Sequence, residues 1–200
     1  MIAAVVLAAG RSERMGRPKP LLPCGERSFL QSILDTVDAS AVDVVRVVLG
    51  HAAGKIRDAL ALPDGIVAVN DHYDQGMLSS VQCGIRLLPL ATRAFLLWPV
   101  DHPLVRVETV NALVEAHLSQ DPPIALPLYA GRRGHPVLFS ARLAAELMEA
   151  PPTQGARAVV HAHAADLAEI PVEDPGVVTD IDTPDAYESA FGRPLPCPAS

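Results

Sequence analysis

Apolar runs alternate with amphipathic stretches along most of the chain. Ile2 to Leu7 is an unbroken run of small and branched apolar residues, the pattern of a strand covered on both faces. Phe29, Leu30, Ile33, Leu34 and Val37 then recur at helical spacing. Val44 to Leu49 reads as a second buried strand closed by Gly50, and Lys55 to Leu62 as a short helix. Ile66 to Val69 predicts a third strand, followed by the loop Asn70 to Gly76 and a helix through Leu88. Ala94 to Val100 is the most apolar strand and stops abruptly at Asp101-His102-Pro103. The helix Val107 to Leu118, the strand Ile124 to Tyr129, the turn Ala130 to Gly134 and the strand Val137 to Phe139 come next. Helices are expected around Ala141 to Glu149 and Ala156 to Ala165. Thr183 reads as the N-cap of a last helix, Asp185 to Ala190, with Pro184 at the first helical position, where a missing N–H costs nothing. Strands alternating with helices predict an α/β sandwich of three layers, a mainly parallel sheet with helices on both faces.

In open sheets of this kind ligands bind beyond the carboxyl ends of the strands. The first strand runs there into Leu7-Ala8-Ala9-Gly10-Arg11-Ser12-Glu13-Arg14-Met15-Gly16-Arg17-Pro18-Lys19. Ala8, Ala9 and Gly10 have almost no side chain, so a ligand can lie against the backbone, and Gly10 is expected to take the positive φ that turns N–H groups toward an anion. Arg11, Arg14 and Lys19 supply positive charge for phosphates, arginine as a planar fork and lysine as a mobile point charge. The stretch is neither GxxxxGK[ST], because Pro20 follows Lys19, nor a GxGxxG fingerprint.

Asp101 caps a strand that should be central, so its carboxylate would emerge at the ligand; otherwise it is a turn-former ahead of Pro103. Mg²⁺ takes one or two carboxylates together with substrate phosphates, which suits Asp101. Asp180 and Asp182 are two apart, so on an extended strand both point to one face. Asp182 immediately before a Thr-Pro helix start has a structural reason to be there, which leaves Asp180 as the expected metal ligand. Arg132, Arg133 and His135 sit in the tight turn Gly131-Arg132-Arg133-Gly134-His135-Pro136, either a solvated tip or a clamp for a second, phosphorylated substrate. Gln75, Gly76, Met77, Ser79 and Ser80 open a helix.

The opening loop resembles the signature LAAGxSxRMGxxK of the MobA-like nucleotidyltransferases, with Gly10, Arg14, Met15, Gly16 and Lys19 at the family's spacing. It is most similar to the cytidylyltransferase branch that makes molybdopterin cytosine dinucleotide. Trp98 to Val105 looks like the segment in which these transferases keep their metal-binding aspartate. Asp180-Ile181-Asp182-Thr183-Pro184 resembles the closing motif whose acidic residue completes the Mg²⁺ site. Gly131 to Phe139 resembles the element beside the acceptor site, which puts Arg132, Arg133 and His135 with the acceptor, and Asp182 of the closing motif is expected there too. Leu7 to Arg11, Lys19, Ser79 and Ser80 fall where the family binds the nucleotide, with Arg14, Lys19 and Asp101 as catalytic groups. The resemblance implies a Rossmann-like, nucleotide-diphospho-sugar transferase-like fold. It also implies Mg²⁺-dependent transfer of CMP from CTP to the terminal phosphate of molybdopterin or its molybdenum-loaded form, with release of pyrophosphate. Guanylyl-transferring relatives carry LAGG where this chain has Leu7-Ala8-Ala9-Gly10, so the methyl of Ala9 is expected to narrow the base slot in favour of cytosine. A related transferase with another phosphorylated acceptor and a non-catalytic cofactor carrier are the alternatives. A molybdoenzyme or its insertion chaperone is the candidate protein partner.

Composition narrows the setting. The 200 residues are 50% hydrophobic and predict one domain over 1–192 with a disordered tail from Arg193 to Ser200. The net charge of −7 gives no general attraction to nucleic acid or anionic membranes, and a small phosphorylated ligand suits the loop arginines better than a polymer. Cys24, Cys83 and Cys197 form no CxxC pair, no basic-then-apolar leader precedes the first strand, and no apolar run approaches the ~20 residues that span a bilayer. A reduced, cytoplasmic setting is expected.

Overall fold

The structure, a computed structural model, describes residues 1–196. Its centre is β1 (Ile2–Ala8), every residue of which is buried. The pleat sends alternate side chains to opposite faces. Ile2, Ala4, Val6 and Ala8 therefore join one apolar cluster and Ala3, Val5, Leu7 and Ala9 the other. That double burial is why the run is continuously apolar rather than alternating. β6 (Ala94–Pro99) divides in the same way, with Leu96 and Trp98 on the first face and Phe95 and Leu97 on the second.

The first layer is made by α1 (Phe29–Asp38), α2 (Ala53–Leu60), α4 (Val107–Gln120) and α7 (Pro184–Phe191). Phe29, Ile33, Leu113 and Tyr187 are their fully buried contributions. The second layer is α3 (Met77–Ile85), α5 (Ala144–Glu149) and α6 (Ala156–Ala162), held by Leu78, Val81, Leu147 and Val159. Helix starts follow the local chemistry. Ser28 and Gln31 form a reciprocal capping box on α1, and Thr183 accepts from the Ala186 N–H at 3.2 Å with Pro184 in the first turn of α7.

β4 (Val44–Leu49) lies parallel to β1 on one side and β6 parallel to it on the other, and β5 (Val67–Val69) continues the sheet beyond β4. Past β6 come β9 (Val137–Ser140), antiparallel to its neighbours, then β7 (Ile124–Tyr129) and β10 (Ala168–Pro171). The exposed pair β8 (Arg132–Arg133) folds back on the end of β7, and β2 (Pro23–Cys24) with β3 (Arg27–Ser28) makes a separate small hairpin. The whole is a three-layer, mainly parallel sandwich of the nucleotide-diphospho-sugar transferase fold, as the periodicity and the resemblance imply.

Several local readings differ. β10 has no counterpart in the sequence reading: it is a short edge strand whose Ala-Glu-Ile-Pro residues are only partly buried or exposed. Asp180 to Asp182 is not a strand but a loop held where the Ile181 N–H donates to the Asp101 carbonyl at 2.9 Å. Of the expected disordered tail, Cys197 to Ser200 lie outside the described residues. Leu195 packs on the first apolar cluster and the Pro196 carbonyl accepts from Arg17. Among the described residues no helix is long and apolar enough to cross a membrane.

Gly84, on the buried side of α3, permits the closest helix-to-sheet approach in the second layer. A Cβ there would stand 2.3 Å from Cγ1 of Val5, a buried, β-branched neighbour with no room to yield. Gly84→Ala is expected to destabilise the fold by about 1–3 kcal/mol through overpacking, outweighing the better helix propensity of alanine. A lower urea midpoint at unchanged m-value would show it, and an unchanged or higher midpoint would refute it.

Candidate functional site

Parallel pairing puts Leu7 of β1 opposite Pro99 of β6, so the two strands end side by side. The Val100 N–H donates to the Leu7 carbonyl at 3.1 Å and extends the contact by one residue. The loop bearing the basic residues and the turn bearing Asp101 thus leave one edge of the sheet together. The loop is folded by short 3-10 turns over Glu13–Met15 and Lys19–Leu21. The Ser12 hydroxyl accepts from the Lys19 N–H at 3.0 Å, and Met15 is buried beneath. The left-handed positions are Ser12 (φ 55°) and Gly16 (φ 68°), not Gly10 as expected. Gly10 instead faces open space, where no atom lies within 4 Å of an added Cβ; the missing side chain keeps the cleft floor clear.

Lys19 is the centre of the charged groups. Its ammonium, only 14% exposed at the side chain, bonds Oδ1 of Asp182 and lies 3.3 Å from Oδ2 of Asp101. Arg14, largely exposed, donates to the other oxygen of Asp182. Asp101 Oδ1 is buried and has no hydrogen-bond partner, with His102 Nε2 3.8 Å away. The Asp101 turn is fixed from several sides: its carbonyl accepts from Ile181, and the Trp98 indole donates to the His102 carbonyl at 3.0 Å. Burial holds the His102 imidazole below its usual range, and burial together with the neighbouring His102 pushes His135 down to about 4. The two rings pack with centroids 4.9 Å apart, both neutral at neutral pH.

The sequence-predicted residues divide clearly. Leu7, Ala8, Ala9, Gly10, Lys19, Ser80 and Asp101 line one cleft of about 360 Å³, joined by Tyr73, Met77 and Pro99. Arg11 and Arg14 line its continuation of about 480 Å³, where the Arg11 guanidinium lies 5.7 Å over the Tyr73 ring. Ser79 does not line either space; its hydroxyl is directed at the His72 and Gly76 carbonyls of the loop before α3. The Ala9 methyl is turned toward Gly50, where an added Cβ would come within 2.9 Å of it, so it shapes the wall from behind.

Asp182, not Asp180, is the acidic residue that joins Lys19 and Asp101. Oδ1 and Oδ2 of Asp182 both face cations, Lys19 and Arg14, whereas no ion pair of Asp180 is found among the described residues. Asp180 is exposed and borders a separate cavity with Arg132 that has no residue in common with the cleft lined by Leu7 to Gly10 or its continuation. Arg133 is likewise exposed and pairs with Glu169 at 2.6 Å. Of the hairpin group only His135 turns inward.

Sequence reasoning did not single out Tyr73, Asn70 or Pro99. Asn70 is buried and donates to both Ser79 and Ser80 while accepting from His72, which ties the Tyr73 loop to α3. A lone Asn at a strand end was its signal, too common to be specific.

Molybdenum cofactor cytidylyltransferase of Escherichia coli K12 is 28% identical over 196 residues, 96% of each chain. The bifunctional protein GlmU of Burkholderia thailandensis is 36% identical over 114 residues, which are 56% of this chain but only 25% of GlmU. Among solved structures, Rv0371c of Mycobacterium tuberculosis H37Rv is 30% identical with a TM-score of 0.85, covering 96% of this chain and 97% of that one. A crystal structure of Rv0371c in complex with manganese superimposes with a TM-score of 0.80 at 30% identity, covering 96% and 98%. The MobA-like NTP transferase domain matches residues 4–167, the stretch that carries the opening loop, Lys19 and Asp101, and the chain belongs to that nucleotidyltransferase family.

Proposed function

We propose that the protein is a cytoplasmic, Mg²⁺-dependent cytidylyltransferase that moves CMP from CTP to the terminal phosphate of molybdopterin or its molybdenum-loaded form. The observation that carries this reading is the meeting of Lys19, Asp101 and Asp182 at the mouth of a slot floored by Leu7 to Gly10. The full-length match to the Escherichia coli cytidylyltransferase supports the acceptor. A molybdoenzyme or its insertion chaperone would then receive the product.

The buried, unpartnered Oδ1 of Asp101 and the hard oxygens of Asp182 fit a Mg²⁺ ion. Asp101 and Asp182 would hold it, Asp182 replacing Asp180 in that role. When bound, the ion supplies charge neutralisation to the triphosphate. An oxygen of the acceptor phosphate, already ionised at neutral pH, bonds to the α-phosphorus of CTP as the bond to the β-phosphate bridge oxygen breaks. The electron pair leaves with pyrophosphate, and no side chain is needed as a base. Lys19 and Arg14 neutralise the departing group, and Arg11 steadies the outer phosphates. The neutral His102 and His135 stand beside Asp101 without adding positive charge.

A second reading keeps the nucleotide site and takes a sugar phosphate or another phosphorylated metabolite as acceptor. Incubation with each of the four ribonucleoside triphosphates, Mg²⁺ and molybdopterin, followed by pyrophosphate measurement, tests the proposal. Pyrophosphate is expected with CTP. Tight cofactor binding with no pyrophosphate would indicate a carrier instead.

Asp101→Asn and Asp182→Asn are each expected to lower kcat by at least about a hundred-fold with unchanged melting, in the range for losing a group that stabilises transition-state charge. Asp180→Asn should keep most of the wild-type rate. If it proves as damaging as Asp101→Asn, the exchange of the two aspartates is wrong.

Lys19→Ala is expected to lose more in kcat than in KM for CTP, because its ammonium follows charge that grows on the leaving pyrophosphate. A defect in KM alone would reduce Lys19 to a ground-state anchor.

Wild-type protein should prefer CTP over GTP. Because the Ala9 methyl faces Gly50 and not the slot, Ala9→Gly should leave that preference largely unchanged. Competition between the two nucleotides measures it; equal use by the wild type would sink the cytidylyl assignment and leave the nucleotidyltransferase intact.

A further inference from the structure

The three cations of the opening loop assigned to phosphate are held in two different ways. Lys19 and Arg14 sit on the carboxylate oxygens of Asp182. Arg11 sits on a ring instead: its guanidinium carbon lies 5.7 Å from the centroid of Tyr73, and it makes no ion pair or side-chain hydrogen bond among the described residues. Carboxylates are close by, since Glu13 and Asp74 border the same space of about 480 Å³. The ring is nevertheless its partner.

Tyr73 is firmly seated. It opens the 3-10 turn Tyr73–Gln75, closed by the Gly76 N–H donating to the Tyr73 carbonyl at 3.3 Å. One residue earlier the His72 N–H donates to the side chain of the buried Asn70 at 3.0 Å. The Tyr73 Cβ packs against Gly50, where an added Cβ would come within 2.7 Å of it, and the His51 ring stands edge-on at 6.1 Å. The half-buried ring rests on the second apolar cluster, while Arg11 is exposed. A fixed ring therefore holds an exposed cation. Tyr73 borders both the slot lined by Leu7 to Gly10 and its continuation, whereas Arg11 borders the continuation alone. The ring stands between the two spaces and keeps Arg11 on the side where a triphosphate would extend.

We propose that Tyr73 is a positioning residue, which holds the Arg11 guanidinium over its ring and presents it to the outer phosphates with all five N–H donors uncommitted. The inference deepens the transferase reading and rests on it. Attraction between a cation and a ring face uses no hydrogen bond. A carboxylate in place of the ring would occupy up to two donors in a forked pair and would have to give way before phosphate could bind. A guanidinium with nothing beneath it would lose more side-chain freedom on binding, at a cost in affinity. The ring avoids both penalties.

The test is a double-mutant cycle on the full chain, read by calorimetric titration with Mg²⁺ and CTP and, in parallel, with CMP, which has no outer phosphates. Arg11→Ala should weaken CTP about ten-fold, the loss of one charge-assisted contact. Tyr73→Leu should weaken it about three-fold, the scale of a cation on a partly exposed ring. Because Tyr73 acts through Arg11, the double variant should match Arg11→Ala alone at about ten-fold, where independent roles would multiply to about thirty-fold. CMP should weaken less than about two-fold in each variant, since the outer phosphates alone meet Arg11. Tyr73→Phe, whose ring face is also electron-rich, should recover most of what Tyr73→Leu loses; pentafluorophenylalanine at position 73, close in shape but with an electron-poor face, should not. That pair serves if Tyr73→Leu does not fold. Losses that multiply in the cycle, CMP weakened as much as CTP, or equal CTP affinity with the two phenyl rings overturns the inference alone. A wild type that binds none of the four ribonucleoside triphosphates overturns the transferase reading and the inference with it.

Discussion

Everything at the site depends on the parallel pairing of β1 with β6. Both strands are covered on both faces, so neither can slip in register without turning a full set of apolar side chains into the wrong layer. With the register fixed at Leu7 opposite Pro99, the chain reverses after both strands at one height. A loop rich in cations and a turn bearing a carboxylate are thereby held within ion-pairing distance, although Lys19 and Asp101 lie 82 residues apart. The rigidity comes from the apolar layers beneath, and the loops inherit it.

The charges brought together are balanced in a particular way. Asp101 and Asp182 face Lys19 and Arg14, so two negative and two positive groups meet where solvent reaches only part of each. Such a set is tolerable because every ion has a counterion; removing one leaves its partner poorly solvated. The central cation is a lysine, a single point charge on a flexible stem, rather than an arginine locked in a two-point fork. A group of this kind can exchange carboxylate oxygens for phosphate oxygens by a small rotation of its stem. Arg14, mostly in water, has the freedom to do the same.

The parts of this structure that were legible in the sequence are those fixed by local rules. Ile2 to Leu7 and Ala94 to Val100 announced themselves because double burial forbids polar residues, and Thr183-Pro184 because a helix start has few ways to be capped. β10 was not legible: a partly exposed edge strand has neither a continuous apolar run nor clean alternation. The opening loop was readable as a phosphate site from its composition, yet its left-handed positions were not, since Ser12 adopts positive φ only because Lys19 N–H and the buried Met15 hold it. The choice between Asp180 and Asp182 depended on which carboxylate meets Lys19, a contact 163 residues apart in sequence, and the bond from Ile181 to Asp101, also remote in sequence, holds that segment in place.

That long-range bond is one of a pair that ties the β8 hairpin to the turn bearing Asp101. The His135 N–H donates to the Val177 carbonyl at 2.8 Å, and a Cβ at Gly134 would stand 2.4 Å from that same carbonyl oxygen. A Cβ at Gly176 would likewise stand 2.3 Å from the Leu104 carbonyl oxygen. Glycine at 134 thus lets the hairpin dock on residues 175–178, and glycine at 176 lets that segment pack on Leu104. Four residues later the same segment delivers Ile181 to the Asp101 carbonyl and Asp182 to Lys19. His135 and Asp182 are thus positioned by one short stretch of backbone, and displacement of that stretch would move both at once.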